Sequence, residues 1–328
     1  MKKRFSVLIP TYNRPEFTRQ AIDSVLSQTF TEYELIVIDD GSTDSTPESL
    51  QSYGSSIRTL HQENQGPEVA RNRGASEATG EYLVFLDSDD LMLPWALKTY
   101  DRIIRAFDSP AVILGAMTNF RQGPEIQGLA GPANDIEVFK YRDFLSKDVG
   151  IGISNSKIVI RKSVFEEVGG QRHSTPTTFY FEDYHLLLRA GTHGPCVIVN
   201  RPVTVAYRIH ETNTVGNIDN MVHGVLSLIH SERNGHYPGG WAHLLDRYAR
   251  IGGPAYEWIR KAFKSHRPGL ALKLLVSSGP MVAAAMLKKT WNEFHKTATP
   301  CTLSDESRRE LDADAASSGI SSPGTIDV

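Results

Sequence analysis

Two apolar runs in this chain empty directly into carboxylate clusters. Tyr33–Ile38 stops at Asp39-Asp40-Gly41-Ser42, and Tyr82–Leu86 runs into Asp87-Ser88-Asp89-Asp90. Each run is short, rich in β-branched and aromatic residues and bounded by turn formers, which reads as a buried strand. A third such run, residues 5–9, ends at Pro10, which cannot donate to a sheet ladder. Between them lie segments of helical spacing: Phe17, Ala21, Ile22, Val25 and Leu26 within 16–28, then 47–53, then 67–78 with Gly80 as its expected C-cap, then 94–107. A weaker strand is expected at 56–60. Alternation of this kind predicts an α/β fold with a mainly parallel sheet. Open sheets of that type place ligands at the carboxyl ends of their strands, where both acidic clusters fall.

Beyond residue 110 the pattern loosens. Strands are expected at 111–117, 157–160 and 197–206, helices at 163–168 and 181–190, and a Gly/Pro-rich loop at 121–135. Past Ile218 the text becomes helical. The predicted organisation is a catalytic domain over 1–215, a helical extension over 216–300 and a disordered tail over 301–328, poor in periodic apolar residues.

Composition narrows the function classes. With 35 Lys+Arg against 38 Asp+Glu the net charge is −3, without the basic footprint of a nucleic-acid-binding domain, so no nucleic-acid partner is expected. Cys196 and Cys301 are too few for a disulfide scaffold or a cysteine metal site. Met1-Lys-Lys-Arg4 is followed by an apolar stretch of only five residues, 5–9, before Pro10, too short for a signal peptide, so a cytoplasmic location is expected.

Each polar motif has an ordinary structural reading and a chemical one. Asp87-Ser88-Asp89 is either an Asx-rich turn or a pair of hard oxygen ligands for a divalent cation. Asp40 can end a strand or accept a hydrogen bond from a nucleobase imide. Pro10-Thr11-Tyr12-Asn13-Arg14 is a loop with polar groups suited to a nucleotide. Arg71 is a helix-face cation or a diphosphate contact. Glu182 and Asp183 cap a helix or put a general base at a pocket mouth. A lone histidine such as His210 is more often structural, although imidazole can complete a metal shell.

Taken in order, Val7–Arg14, Ser24–Thr29, Ile38–Asp44, Asn64-Gln65-Gly66, Ala70-Arg71-Asn72 and Phe85–Asp90 resemble the opening of the family 2 glycosyltransferases, which have the GT-A fold. Glu182-Asp183 and Tyr207-Arg208-Ile209-His210 resemble that family's later motifs. The resemblance covers residues 5–212. It implies a GT-A, Rossmann-like mixed sheet flanked by helices, and inverting transfer of a sugar from a nucleoside-diphosphate donor to a carbohydrate or lipid-linked acceptor hydroxyl, in surface polysaccharide or glycoconjugate assembly. It implies donor contacts from Pro10, Thr11, Tyr12, Asn13, Asp40, Arg71, Asp87 and Ser88. It further implies Mn²⁺ or Mg²⁺ held by Asp89, Asp87 and His210, a catalytic base at Asp183, and acceptor contacts from Asn155 and Glu182. A nucleotide-sugar-binding protein without activity is one alternative. A sugar-phosphate nucleotidylyltransferase is another, although it would need a Gly-rich phosphate loop after the first strand.

Residues 260–289 carry seven cations and no carboxylate, leaving −10 on the rest of the chain. Two apolar stretches there, 270–276 and 281–287, are broken by Ser277-Ser278-Gly279-Pro280. With Lys273 and that interruption they read as a poor transmembrane helix. They suit either a helical pair packed on the catalytic domain or a peripheral contact with anionic membrane.

Overall fold

All seven residues of the first strand, β1 (Phe5–Thr11), are buried. In a computed structural model of the chain it is an interior strand of the sheet. The structure describes residues 3–121, 124–127, 129, 135–147, 152–171, 180–211, 213, 216–295 and 300–303. β2 (Tyr33–Asp39) and β4 (Tyr82–Phe85) flank β1 in parallel, and β3 (Arg58–His61) adds to β2, also in parallel. Helices α1 (Pro15–Leu26), α2 (Thr46–Gln51), α3 (Pro67–Glu77) and α4 (Ala96–Ala106) connect these strands or follow them. Proline stands in the first turn of α1, α2 and α3, where its missing N–H costs nothing.

Successive side chains of β1 serve opposite layers, as the two-residue period of a strand requires. Val7 and Ile9 pack with Ala21, Ile22 and Val25 of α1 and Leu97 and Ile103 of α4. Leu8 packs on the other face with Ala70 and Ala75 of α3.

The remainder is β5 (Leu91–Met92), β6 (Val112–Phe120), α5 (Pro124–Gln127), β7 (Ile136–Tyr141), β8 (Ile158–Arg161), α6 (Lys162–Glu167), α7 (Glu182–Arg189), β9 (Cys196–Arg208), α8 (Ile218–Arg233), α9 (Leu244–Lys264), α10 (Pro268–His295) and β10 (Cys301–Leu303). Strand order is β10-β7-β9-β6-β8-β4-β1-β2-β3, with β5 paired to β9. β8 lies antiparallel between β4 and β6, and β6 and β9 are parallel. The sheet is thus mixed and mainly parallel, with one parallel ladder running through β4, β1, β2 and β3 and a second between β6 and β9.

Four expectations are corrected. Gly80 is not a C-cap; Ala78 ends α3, and a Cβ at Gly80 would stand 2.6 Å from the Phe5 carbonyl carbon and the Ser6 nitrogen, so this glycine serves close approach of backbone to β1. The 121–135 stretch holds the short helix α5. Cys301–Leu303, assigned to the tail, is an edge strand antiparallel to β7, while 304–328 lie outside the described residues. Ser277–Pro280 does not break the C-terminal helix: α10 runs through it. Its inner residues Ala271, Leu274, Ser278 and Met281 are buried, and this packing carries the helix past Pro280. The carbonyl that Pro280 cannot satisfy belongs to Val276, which is exposed and open to water. The most apolar 18-residue window of this helix has a mean hydropathy of 1.7, so the helix is long and apolar enough by composition to cross a membrane, and 33% of that window is buried.

Candidate functional site

The carboxylates at the end of β2 are held by the loops around them. Asp39 accepts from the Ser42 backbone N–H (3.0 Å) and faces His61 Nδ1 (3.1 Å). Asp40, 3% exposed, accepts from Gln62 Nε2 (2.7 Å) and from the backbone N–H groups of Gln65 (3.0 Å) and Gly66 (2.8 Å). A carboxylate has four lone-pair sites, so Asp40 keeps one acceptor position where it lines the cleft. Asn13 does something other than expected. In a left-handed conformation (φ 52°), its Oδ1 accepts from Thr43 N (2.7 Å) and Asp44 N (3.3 Å), pinning the β1 loop to the β2 loop. Asn13 is not among the cleft-lining residues, whereas Pro10, Thr11, Tyr12 and Arg14 are.

At the end of β4, Asp87 and Asp89 each meet a cation. Asp87 Oδ1 pairs with Arg71 Nη2 at 2.5 Å, and its backbone N–H donates to Ser156 Oγ at 3.0 Å. Asp89 Oδ2 pairs with Arg14 Nη1 at 2.6 Å and faces His210 Nε2 at 2.9 Å. Asp90 is fully buried and fastens the turn, accepting from Ser156 Oγ (2.6 Å) and from Arg208 N (2.9 Å). Burial, and then the charges of Asp87 and Asp89, push its carboxyl well above the usual range. Of the three expected metal ligands, Asp89 and His210 come together, whereas Asp87 turns to Arg71. Among the described residues no cluster of three or more His, Cys, Asp and Glu side chains is placed to hold a metal. One carboxylate oxygen and one imidazole nitrogen still suit a divalent cation that shares its other positions with phosphate oxygens and water.

The opposite wall begins at Phe181, whose φ of 66° puts an aromatic residue in the left-handed region just before α7. Gly224 of α8 makes room for it: a Cβ there would stand 2.6 Å from Phe181 Cδ2. The forced turn points Glu182 and Asp183 into the cleft. Glu182 Oε1 accepts from Asn155 Nδ2 (2.9 Å) and faces Arg71 Nη1 (3.5 Å); Gln171 Nε2 in turn donates to Asn155 Oδ1 (2.7 Å). Burial pushes the carboxyls of Glu182 and Asp183 up to about 7. Arg71 pulls Glu182 back down, and the neighbouring Glu182 charge raises Asp183 further.

Arg71, 3% exposed, therefore joins the two walls, holding Asp87, Glu182 and Gln171 Oε1 (3.1 Å) from one guanidinium. The cleft between the walls encloses about 1860 Å³ and takes in Asp40, Arg71, Asp87, Ser88, Asp89, Asn155, Glu182 and Asp183. His210 lies outside this lining, against Asp89 and the Phe17 ring (centroids 5.2 Å apart). Arg14, at the end of the Pro10–Arg14 loop, is a cleft residue to which the family resemblance assigns no role. Gln171, Ser156 and the far wall made by α9 and α10 also belong to the site, and no local signal in the sequence marks them.

A family profile described as Glycosyl transferase family 2 matches residues 6–169. The chain is 43% identical over 99 residues to the uncharacterized glycosyltransferase YibD of Escherichia coli, covering 29% of each chain. It is 29% identical over 196 residues to the glycosyltransferase GlyG of Streptococcus pneumoniae, covering 55% of this chain and 65% of that one. The matches thus span well under two thirds of the first of these curated relatives. Among solved structures, S. aureus TarS 1–349 in complex with UDP-GlcNAc superposes with a TM-score of 0.55 at 16% identity, covering 89% of this chain and 92% of that one. The mannosyltransferase PcManGT of Pyrobaculum calidifontis, in complex with GDP-Man and Mn²⁺, gives 0.52 at 19% identity, covering 89% and 88%. At such identities the likeness is one of fold.

Proposed function

Since the chain belongs to glycosyl transferase family 2, we propose that it is an inverting transferase moving a sugar from a nucleoside diphosphate to an acceptor hydroxyl in glycoconjugate or surface polysaccharide assembly. One observation carries this reading. A single cleft has strand-end carboxylates and arginines on one wall and, on the other, a carboxyl whose pKa is lifted toward neutrality. The first wall suits a nucleotide: Asp40 offers its spare lone pair to a base N–H, Tyr12, 45% exposed, is open to stack on the base, and Arg14 and Arg71 face its phosphates.

Asp183 takes the proton of the acceptor hydroxyl as that oxygen attacks the anomeric carbon. The new C–O bond forms as the bond to the diphosphate breaks, and the diphosphate leaves with the electron pair on the opposite face. A base with a pKa near 7 is well matched to this work, being largely ionised just above neutrality yet basic enough to accept a proton. A divalent cation, Mn²⁺ or Mg²⁺, would be held by Asp89 and His210 and would neutralise charge on the departing diphosphate. Asn155 and Glu182 border the acceptor.

Nucleotide sugars are expected to raise the melting temperature, and Mn²⁺ to enlarge the rise, because a bound donor stabilises the fold by mass action, by about 2.7 kcal/mol at a hundred times Kd. UDP-GlcNAc and GDP-mannose are suitable first probes. Asp89→Ala should lose the Mn²⁺-dependent part of the shift. If no nucleotide sugar moves the wild-type transition with either cation, the transferase reading fails.

The outer face of α10 supports a peripheral membrane contact, as a lipid-linked acceptor would require. Leu272, Val276, Leu287 and Trp291 recur at helical spacing, exposed by 58%, 74%, 71% and 62%, and Lys273 and Lys289 stand beside them. An apolar stripe flanked by lysines suits the surface of an anionic bilayer. The protein is expected to float with vesicles containing anionic lipid and not with neutral ones, and Leu287→Glu with Trp291→Glu should abolish flotation. Equal recovery of the double variant and the wild type would reject this contact.

A further inference from the structure

Three basic side chains meet Asp89, and they are held very differently. Arg14 Nη1 (2.6 Å) and His210 Nε2 (2.9 Å) approach the same carboxylate oxygen, Oδ2. Arg208 donates from Nε to the Asp89 carbonyl at 2.8 Å. Its guanidinium faces the Phe17 and Phe120 rings, 4.9 and 4.5 Å from their centroids, and donates from Nη2 to Gln20 Oε1 at 2.7 Å, so this cation is fixed. Arg14 is fixed only in its backbone. Its N–H donates to Thr46 Oγ1 (3.1 Å), and Asn13 before it is pinned to the β2 loop. Its side chain is 34% exposed, lines the cleft and has Asp89 as its one acceptor among the described residues. Arg71, in the same cleft, is shared among Asp87, Gln171 and Glu182 and cannot leave without stranding two carboxylates. Of the arginines around the carboxylates, Arg14 is the one free to swing.

A divalent cation takes carboxylate oxygens as its ligands. On either oxygen of Asp89 it would face the Arg14 guanidinium across one small group, and like charges at that range repel strongly where water is partly excluded. Pairing with Arg14 and ligation of a cation therefore compete for the same side chain. Arg14 can give up Asp89 without loss only where another anion receives it. The diphosphate of a donor in the same cleft is such an anion, since a guanidinium fork matches phosphate oxygens. The same diphosphate brings the negative charge that a divalent cation needs beside Arg14 and Arg208.

Resting on the transferase reading above, we infer that Arg14 couples the cation to the donor: its side chain holds Asp89 until a diphosphate arrives, then moves to the phosphates and releases the carboxylate to the cation. Arg14 is thus a positioning residue that acts on the cation through Asp89. Nucleotide and cation each tighten the other, because a coupling between two binding equilibria is reciprocal. A cation alone binds poorly, since it must displace a guanidinium that then has no partner. A nucleotide alone binds poorly for the matching reason, since it must draw Arg14 off Asp89 and leave that carboxylate without its arginine.

The test measures binding, not turnover. Mn²⁺ is titrated into the full-length protein and followed by the electron paramagnetic resonance of the free ion, with and without saturating UDP or GDP; each nucleotide is titrated by calorimetry without a divalent cation. In the wild type the nucleotide should tighten Mn²⁺ by at least about tenfold. Arg14→Gln should bind Mn²⁺ alone about fivefold more tightly, and the tightening by nucleotide should shrink by at least about fivefold. A bystander charge would change Mn²⁺ affinity equally with and without nucleotide, so an unchanged ratio overturns the coupling. Asp89→Ala supplies an independent arm. It should tighten cation-free nucleotide several-fold by releasing Arg14, and should give no such gain in the Arg14→Gln background. An equal gain in both backgrounds would mean simple repulsion between Asp89 and the phosphates and would likewise overturn the inference. Both side chains reach the cleft surface, and melting curves verify that each variant folds. Should neither nucleotide bind the wild type, the transferase reading falls, and the affinity of Arg14→Gln for Mn²⁺ alone decides whether Arg14 and a cation compete for Asp89.

Discussion

Asp183→Asn is expected to lower kcat by at least about a thousandfold while donor affinity stays within about twofold of wild type. Proton transfer by a positioned side chain is worth roughly 10²–10⁴ in rate, and a base that acts only in the chemical step leaves ground-state binding alone. The pH profile carries the same information. Burial and the Glu182 charge lift the Asp183 carboxyl to about 7, and a general base works only when ionised, so kcat/KM should rise with pH along an acidic limb centred near 7. A profile flat from pH 5.5 to 8, or turnover near the wild-type level in the Asn variant, would remove Asp183 from the reaction. Stability should move the other way. The unfolded Asp ionises near 4 and the folded one near 7, so the wild type loses stability across that interval and carries the full deficit above it. Asn carries no such deficit. The variant should therefore exceed wild type by about 1–3 kcal/mol at pH 8 and match it near pH 4, as read from denaturant midpoints.

The catalytic half was far more legible in the sequence than the wall opposite it, for a physical reason. A strand buried on both faces writes itself as an unbroken apolar run, and the turn after it must be polar, so β1, β2 and β4 and the carboxylates at their ends stand out by composition alone. Edge and insertion strands do not. β5 is two residues long, β7 alternates buried and half-exposed positions, and β10 is three residues at the rim. Ser277–Pro280 reads locally as a helix break, yet α10 runs through it, because local propensity is overridden once a helix buries a full stripe against its neighbour. Asp87 illustrates the limit for the site. Its spacing to Asp89 reads as a ligand pair, but its actual partner is an arginine sixteen residues upstream on α3. Arg250 and Lys147, buried cations of the cleft lining, gave no signal at all, since a cation's burial depends on which helices close over it.

That dependence on tertiary partners makes Arg71 the residue whose loss should cost most in stability. One guanidinium, almost fully buried, holds Asp87 at 2.5 Å and Gln171 at 3.1 Å and faces Glu182 at 3.5 Å. Arg71→Met fills much of the volume but leaves two carboxylates facing each other across the cleft without a cation. Removing one partner of a buried charge pair typically costs 3–5 kcal/mol. The deficit should grow with pH, because Arg71 lowers the pKa of both Glu182 and Asp183, and without it each ionises later and at greater cost. The acidic limb of kcat/KM should accordingly move above its wild-type midpoint in whatever activity remains. Arg71→Lys should recover part of the stability, since a point charge replaces the fork but cannot reach both walls. A Met variant with a wild-type denaturation midpoint and an unshifted limb would mean that Arg71 bridges nothing of consequence. A lost midpoint with an unshifted limb would reduce it to a structural ion pair. A shift in both would establish that the residue joining the two walls also sets the proton affinity of the base.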